Sequence, residues 1–247
     1  MRAYSITDTG ILRTMNQDYY FTADSPVGNL PNLFIVADGM GGHKAGEYAS
    51  RHTTERVVAS ASRNRYKSPV RILREAIEKA NQILVKEAEV DESKAGMGTT
   101  IVAATIDKNK LCVANVGDSR LYVVGDTITQ ITKDHSYVEE MVRRGGMKPE
   151  LARVHPDKNI ITRAIGATDT VEPDFFEIDL KEDEVILMCS DGLTNMVTDE
   201  RIAQIVRQEY DLKDVAKRLV EEANKNGGLD NITIVLIHPG YQEVKEC

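Results

Sequence analysis

The stretch Thr99–Val124, TTIVAATIDKNKLCVANVGDSRLYVV, decides the fold class. It holds three short apolar, β-branched runs, Thr99 to Ile106, Leu111 to Val116 and Leu121 to Val124. Their lengths and their Val/Ile content favour strands over helices. Asp107-Lys108-Asn109-Lys110 joins the first run to the second, and Gly125-Asp126 joins the third to Thr127–Ile131 as a two-residue hairpin. Parallel neighbours need crossovers of about a dozen residues or more, so these strands are expected to pair antiparallel.

Working outward, Leu33-Phe34-Ile35-Val36-Ala37, Val185 to Cys189 and Ile232 to Ile237 are further apolar runs of strand length. Helical periodicity appears in Ala45 to Ser62 and Pro69 to Glu89. Two more helices fit Asp199 to Gln208 and Leu212 to Asn224, each starting near an acidic residue as a helix N-terminus prefers. Locally paired strands with helices grouped between them predict an α+β protein rather than an alternating parallel sheet. The polar stretch Asp134 to Gly166, broken by Gly145-Gly146, Pro149 and Pro156, is long enough to be expected to serve function.

Composition narrows the class. At 247 residues, with 41% apolar and 28% charged side chains, the chain supports a buried core and is not disordered. No linker divides it, so residues 1–247 are expected to form a single domain. No apolar run approaches the ~18 residues of a membrane span. Met1 to Asp8 lacks the apolar centre of a secretory signal. Cys112, Cys189 and Cys247 make no CxxC pair, and the first two sit inside apolar runs, so they read as reduced thiols. Together these readings predict a cytoplasmic protein. A net charge of −8 argues against nucleic acid as a partner.

Acidic residues recur at strand ends. Leu33–Ala37 leads into Asp38-Gly39-Met40-Gly41-Gly42, Val113–Val116 into Gly117-Asp118-Ser119-Arg120, and Val185–Ser190 into Asp191-Gly192. Gly227-Gly228-Leu229-Asp230-Asn231 opens the last strand. Any one Asp-Gly is an ordinary turn. Four carboxylates gathered at one sheet edge must be neutralised, most simply by a divalent cation. The five histidines are scattered, without HExxH or paired CxxC, which disfavours zinc; oxygen-only ligation suits Mg²⁺ or Mn²⁺. There is no Walker loop, GxGxxG, GxSxG elbow or EF-hand. What remains is hydrolysis by metal-activated water, with two cations sharing aspartates. Arg13, five residues before Asp18, is a natural clamp for a phosphate.

Taken in order, Arg13 to Asp18, Asp38 to His43, Gly96-Met97-Gly98-Thr99-Thr100, Gly117 to Arg120, Asp134-His135-Ser136, Ser190 to Thr194 and Gly228 to Asn231 resemble the metal-dependent serine/threonine protein phosphatases of type 2C, in their bacterial form. The resemblance spans essentially the whole chain. It implies a β-sandwich of two antiparallel sheets flanked by helices on both sides, with metals in a cleft at one end. It implies that Asp38 bridges two metals, that Gly39 ligates through its carbonyl, and that Asp191 and Asp230 complete the first metal. Asp118 with Asp191 would hold a third. Arg13 would bind the substrate phosphate, Asp18 would act from behind the ligands, and residues from about 136 to 165 would form a flap beside the cleft. The implied activity is removal of phosphate from phosphoserine and phosphothreonine in proteins by a monomer, opposing a serine/threonine kinase.

The pattern departs from the animal one at two positions. Gln17 stands where many members have glutamate, and Met40 stands where animal members carry a histidine proposed as general acid. His43 is nearby and reads as a structural or surface histidine. Two competing readings are a phosphatase of small phosphoesters and a catalytically silent regulatory domain on the same scaffold; retention of Arg13 and the four aspartates speaks against silence.

Overall fold

The structure, a computed structural model, describes residues 1–42, 44–152, 155–209 and 211–240. His43 and Cys247 lie outside them. One five-stranded antiparallel sheet has the order β1 (Arg2–Asp8), β11 (Ile232–His238), β10 (Val185–Cys189), β7 (Arg120–Val124), β8 (Ile128–Gln130). The other runs β2 (Asp18–Ala23), β3 (Leu33–Met40), β5 (Ile101–Asp107), β6 (Lys110–Val116), β9 (Asp174–Asp179), with the short β4 (Gly98–Thr99) paired to β3.

The central strands read as unbroken apolar runs because both of their faces are buried. Phe34, Val36, Val102 and Ala104 meet Leu121, Ile186, Met188 and Val235 between the sheets. Alternate residues of the same strands, Leu33, Ile35, Ile101 and Ala103, point the other way onto α1 (Ala45–Arg63) and α2 (Pro69–Val90). On the far side, Tyr122, Leu187, Ile234 and Leu236 pack on α6 (Asp199–Gln208) and α7 (Leu212–Lys225). The result is four layers, helix–sheet–sheet–helix, as the resemblance implied. All four helices foreseen from periodicity are present. α6 is capped by Thr198, whose hydroxyl accepts from Arg201 N, and α7 by Asp211, which accepts from Lys213 N.

Three strands had no counterpart in the reading of apolar runs: β1, β2 and β9. All three are sheet edges, mostly half-exposed, and each holds only two or three consecutive apolar residues bounded by polar ones. Two connections also need correction. Val124 pairs with Ile128, so the β7–β8 loop is Gly125-Asp126-Thr127, three residues closed by Gly125 N donating to Thr127 O at 3.0 Å. The run from Thr99 is broken at Thr100: Gly98–Thr99 pairs with β3 as β4, and β5 begins at Ile101. The β5–β6 turn is only Lys108-Asn109, with Lys108 at φ 57°. Positive φ on the first residue is what a tight hairpin requires.

Cys112 and Cys189 are buried free thiols, and burial pushes the Cys112 thiol up to about 12. Neither is a nucleophile at neutral pH. Among the described residues no helix is long and apolar enough to cross a membrane.

Candidate metal and phosphate site

The aspartates arrive at one end of the sandwich because the strands that carry them end there. Asp38 sits near the end of β3 with its backbone gripped from both sides. Asp38 N donates to Thr100 Oγ1 at 2.9 Å, while Asp38 O accepts from Thr100 N and Thr99 Oγ1, each at 2.9 Å. The break in the strand at Thr100 is therefore what holds Asp38. Asp18, at the start of β2, lies directly opposite Asp38 in the register. Gly39 has no room for a side chain: a Cβ there would stand 2.0 Å from Gly46 O of α1.

Asp118 follows β6 in a turn that glycine makes possible. Gly117 has φ 106°, and a Cβ would press on Thr100. Gly117 N donates to His135 Nδ1 at 3.1 Å, and His135 N donates to Gly117 O at 3.0 Å. With Nδ1 accepting, His135 carries its proton on Nε2 and donates to Asp174. The same residue anchors the polar stretch 136–165. Thr162 N donates to His135 O at 2.8 Å, and Ser136 bridges to Ile161. That stretch contains two short helices, Tyr137–Arg143 and Pro149–Ala152.

Asp191 opens the single turn α5 (Asp191–Thr194) directly after β10, and its Oδ2 accepts from Asn195 Nδ2 at 2.8 Å. Asp230, just before β11, accepts from Arg13 Nη2 at 2.8 Å and from Asn231 N at 2.9 Å. Arg13, Gln17, Asp38, Gly39, Met40, Asp118, Asp191 and Asp230 line one cleft of about 270 Å³, with Asn159 and Ile161 facing in from the polar stretch. A second cavity of about 180 Å³ shares Asp118 and Asp191 with the first and adds Arg120, Asp134 and Lys158. A larger hollow, about 570 Å³, lies between α1 and α2, lined by residues such as Arg56, Arg63, Tyr66 and Lys79. It brings together no group of carboxylates, so chemistry and not volume identifies the site.

Electrostatics give the cleft its character. Burial, then the nearby charges of Asp18, Asp191, Asp118 and Asp230, raise the Asp38 carboxyl well above the ordinary range. Burial and Asp191 raise Asp118 in the same way. Asp18 is pushed up to about 7 by burial, against the hydroxyl of Ser190, which donates to it at 2.7 Å. Asp191 is raised to about 6 by burial and by Asp230. The Oδ1 atoms of Asp18, Asp118 and Asp191 are buried without a hydrogen-bond partner. Such atoms are costly to leave unpaired, and a hard divalent cation is the partner that oxygen-only donors suit. The acids converge without forming a closed cage. Among the described residues, no three His, Cys, Asp or Glu side chains are grouped closely enough to grip an ion as they stand.

A family model for protein phosphatase 2C matches residues 25–232. The chain belongs to the protein phosphatase 2C family. It is 39% identical over 247 residues to the serine/threonine phosphatase stp of Listeria welshimeri, covering 96% of this chain and 95% of that one. The crystal structure of the serine/threonine phosphatase Stp1 from Staphylococcus aureus matches it with a TM-score of 0.89 at 37% identity, over 95% of this chain and 93% of that one. The catalytic domain of the serine/threonine protein phosphatase PstP, in complex with two manganese ions, matches with a TM-score of 0.83 at 33% identity, over 95% and 96% of the two chains. This protein is thus a metal-dependent protein phosphatase, of a family that uses Mn²⁺ or Mg²⁺.

One residue of this phosphatase carries more of the site than its place in the sequence suggested. Asn231 is 4% exposed and lies beside Asp230. Its Nδ2 donates to Thr9 O and Met15 O, each at 2.9 Å, and its Oδ1 accepts from Gln17 N at 2.8 Å. These three bonds pin both ends of the loop that presents Arg13. Only the Asp-Asn pairing before a strand hinted at this, and it does not say which distant carbonyls would be held. Asn231→Ala leaves three backbone groups without that partner and should cost roughly 2–4 kcal/mol. A urea midpoint moved by that amount at constant m-value is the check; an unmoved midpoint would show the loop to be held otherwise.

Proposed function

We propose that this phosphatase removes phosphate from phosphoserine and phosphothreonine in proteins, opposing a serine/threonine kinase in the bacterial cytoplasm. On this reading residues 1–247 form a single catalytic domain that works as a monomer, with about 136–165 as its flap. The observation that carries it is the convergence of Asp38, Asp118, Asp191 and Asp230 on one cleft with Arg13 at its mouth. Asp38, the Gly39 carbonyl, Asp191 and Asp230 would hold a pair of Mn²⁺ or Mg²⁺ ions, Asp38 contributing to both. Asp118 and Asp191 stand on the wall shared with the second cavity and are assigned to a third ion. When bound, the cations neutralise the carboxylates, polarise the phosphoryl group and activate water for attack on it.

The chain's own groups do the rest. Asp18 stands behind Asp38 across the β2–β3 pair and, with the Ser190 hydroxyl on it, fixes the floor of the site. Arg13 is half exposed over Asp230 and offers a planar fork to phosphate oxygens. Met40 lines the cleft and supplies no proton, so leaving-group protonation falls to another donor. The alternative of a silent scaffold conflicts with four buried or half-buried acids kept at one point at a cost in folding free energy.

Turnover of a phosphothreonine peptide with Mn²⁺, with and without chelator, tests the reading. Activity that requires the cation supports it; activity surviving exhaustive chelation, or peptide binding without turnover, overturns it. Arg13→Ala should lower kcat/KM by roughly ten- to a hundredfold, mostly through KM, as expected for a charged contact of about 1.5–3 kcal/mol. Lysine should restore only part of this, and an unchanged KM would remove Arg13 from phosphate binding.

A further inference from the structure

Nine large apolar side chains are exposed among the described residues, and six of them belong to three segments that contribute residues to the catalytic cleft. Ile11, Leu12 and Leu229 adjoin Arg13 and Asp230 in sequence; Tyr137, Leu151 and Ile160 lie in the polar stretch whose Asn159 and Ile161 also line the cleft. Ile11 and Leu12 are 64% and 66% exposed and adjacent in sequence. Exposed aliphatic residues scattered singly need no explanation, but a cluster beside a polar cleft marks a contact surface.

The cluster is also held still. Ile11 N and Leu12 N both donate to Gly228 O, at 2.8 and 3.1 Å. Gly228 has φ 52°, and a Cβ on it would stand 2.6 Å from Ile11 Cγ1, so glycine is what lets Ile11 lie against this turn. Gly10 N and Asn224 Nδ2 both donate to Asp8 Oδ1, tying the segment before Ile11 to α7. Asn231 pins Thr9 and Met15 on either side. Apolar side chains fixed at a cleft mouth without an intramolecular cover favour a partner that supplies the cover, because the ordering has already been done before binding.

We propose that Ile11, Leu12 and Leu229 form a shelf for a large aliphatic side chain within two residues of the phosphorylated serine or threonine, so that the enzyme selects phosphosites with aliphatic neighbours. This rests on the reading above that Arg13 marks where the phosphate binds. A peptide residue advances the chain by about 3.3–3.6 Å, so a side chain one or two positions from the phosphorylated residue falls within about 7 Å along an extended substrate. Leu12 and Leu229 are the immediate chain neighbours of Arg13 and Asp230, which line the cleft and pair with each other at 2.8 Å. An acidic neighbour in the substrate would gain nothing from this apolar surface.

The test compares kcat/KM for matched phosphothreonine peptides carrying leucine or serine at each position from two before to two after the phosphothreonine, with Mn²⁺ present. Leucine at one or more of these positions should be favoured by roughly tenfold, the usual discrimination from one buried aliphatic group. In Leu12→Ser and Leu229→Ser the leucine-to-serine ratio should fall towards one; being a ratio within each variant, it is insensitive to the amount of folded enzyme. No leucine preference in the wild type, or a preference unmoved in both variants, overturns the shelf while leaving the phosphatase reading intact. Hydrolysis of p-nitrophenyl phosphate with no phosphopeptide turned over at all overturns both.

Discussion

Asp38→Asn should yield a protein that folds at least as well as the wild type and has lost manganese-dependent turnover by about a thousandfold or more, equivalent to about 4 kcal/mol of barrier. Asp38 is the carboxylate on which Asp18, Asp118, Asp191 and Asp230 all bear. As the ligand assigned between two cations it is the one whose loss disturbs both at once. Asparagine preserves shape, and the Asp38 backbone is held by Thr99 and Thr100 without its side chain. Removing one buried acid from a repelling cluster relieves the metal-free fold, so its melting temperature at neutral pH should rise. Function and stability therefore move in opposite directions at this position, as expected where a site is built from groups that would not choose one another's company. Retention of more than about a tenth of wild-type kcat would remove Asp38 from the centre of the mechanism. A fall in the chelated melting temperature would show that the carboxyl supports the fold instead of straining it.

The second large effect is the pH dependence of the metal-free enzyme. Asp18, Asp38, Asp118 and Asp191 all have folded-state pKa values above their unfolded ones, raised chiefly by burial. The native state then holds protons that the unfolded chain has released. Their contribution is fully present below the unfolded carboxylate range near 4 and is lost as pH rises through the folded values, about 6 for Asp191 and about 7 for Asp18. Chelated enzyme should accordingly melt roughly 5–10 °C lower at pH 7.5 than at pH 5. His135 works against this trend, because burial lowers its pKa and acid tends to charge it. Comparing wild type with Asp38→Asn at each pH separates the cluster's share from that of His135. Cations bind the deprotonated acids, so the thermal gain from Mn²⁺ should be larger at pH 7.5 than at pH 5.5. A chelated melting temperature that climbs steadily to pH 8, with the same slope in Asp38→Asn, would show that these carboxyls are not strained in the fold.

Much of the molecule was legible in the order of residues. Strands buried on both faces announce themselves as unbroken apolar runs, so β3, β5, β6, β7, β10 and β11 were evident, as were the amphipathic helices α1, α2, α6 and α7. The four aspartates at strand ends were visible too, since an apolar run that meets an aspartate beside glycine or asparagine leaves its mark locally. The edge strands β1, β2 and β9 were not, because a half-exposed strand needs only two or three apolar residues in a row, a pattern that loops also show. The resemblance to the family supplied the roles that no local pattern carries.

Tertiary structure alone decided the pairings across long stretches of chain. Asp18 opposite Asp38 depends on an edge strand the apolar pattern did not reveal. Arg13 to Asp230 and Asn231 to Thr9 and Met15 each join residues more than two hundred positions apart. The residue types say that each group needs a partner; which partner is settled only when β1 and β11 pair and bring the two ends of the chain together. The elevated acidities arise the same way. A carboxylate in a turn is ordinary in any sequence, and it becomes strained, and so fit to hold a cation, only when folding buries it among others of its kind.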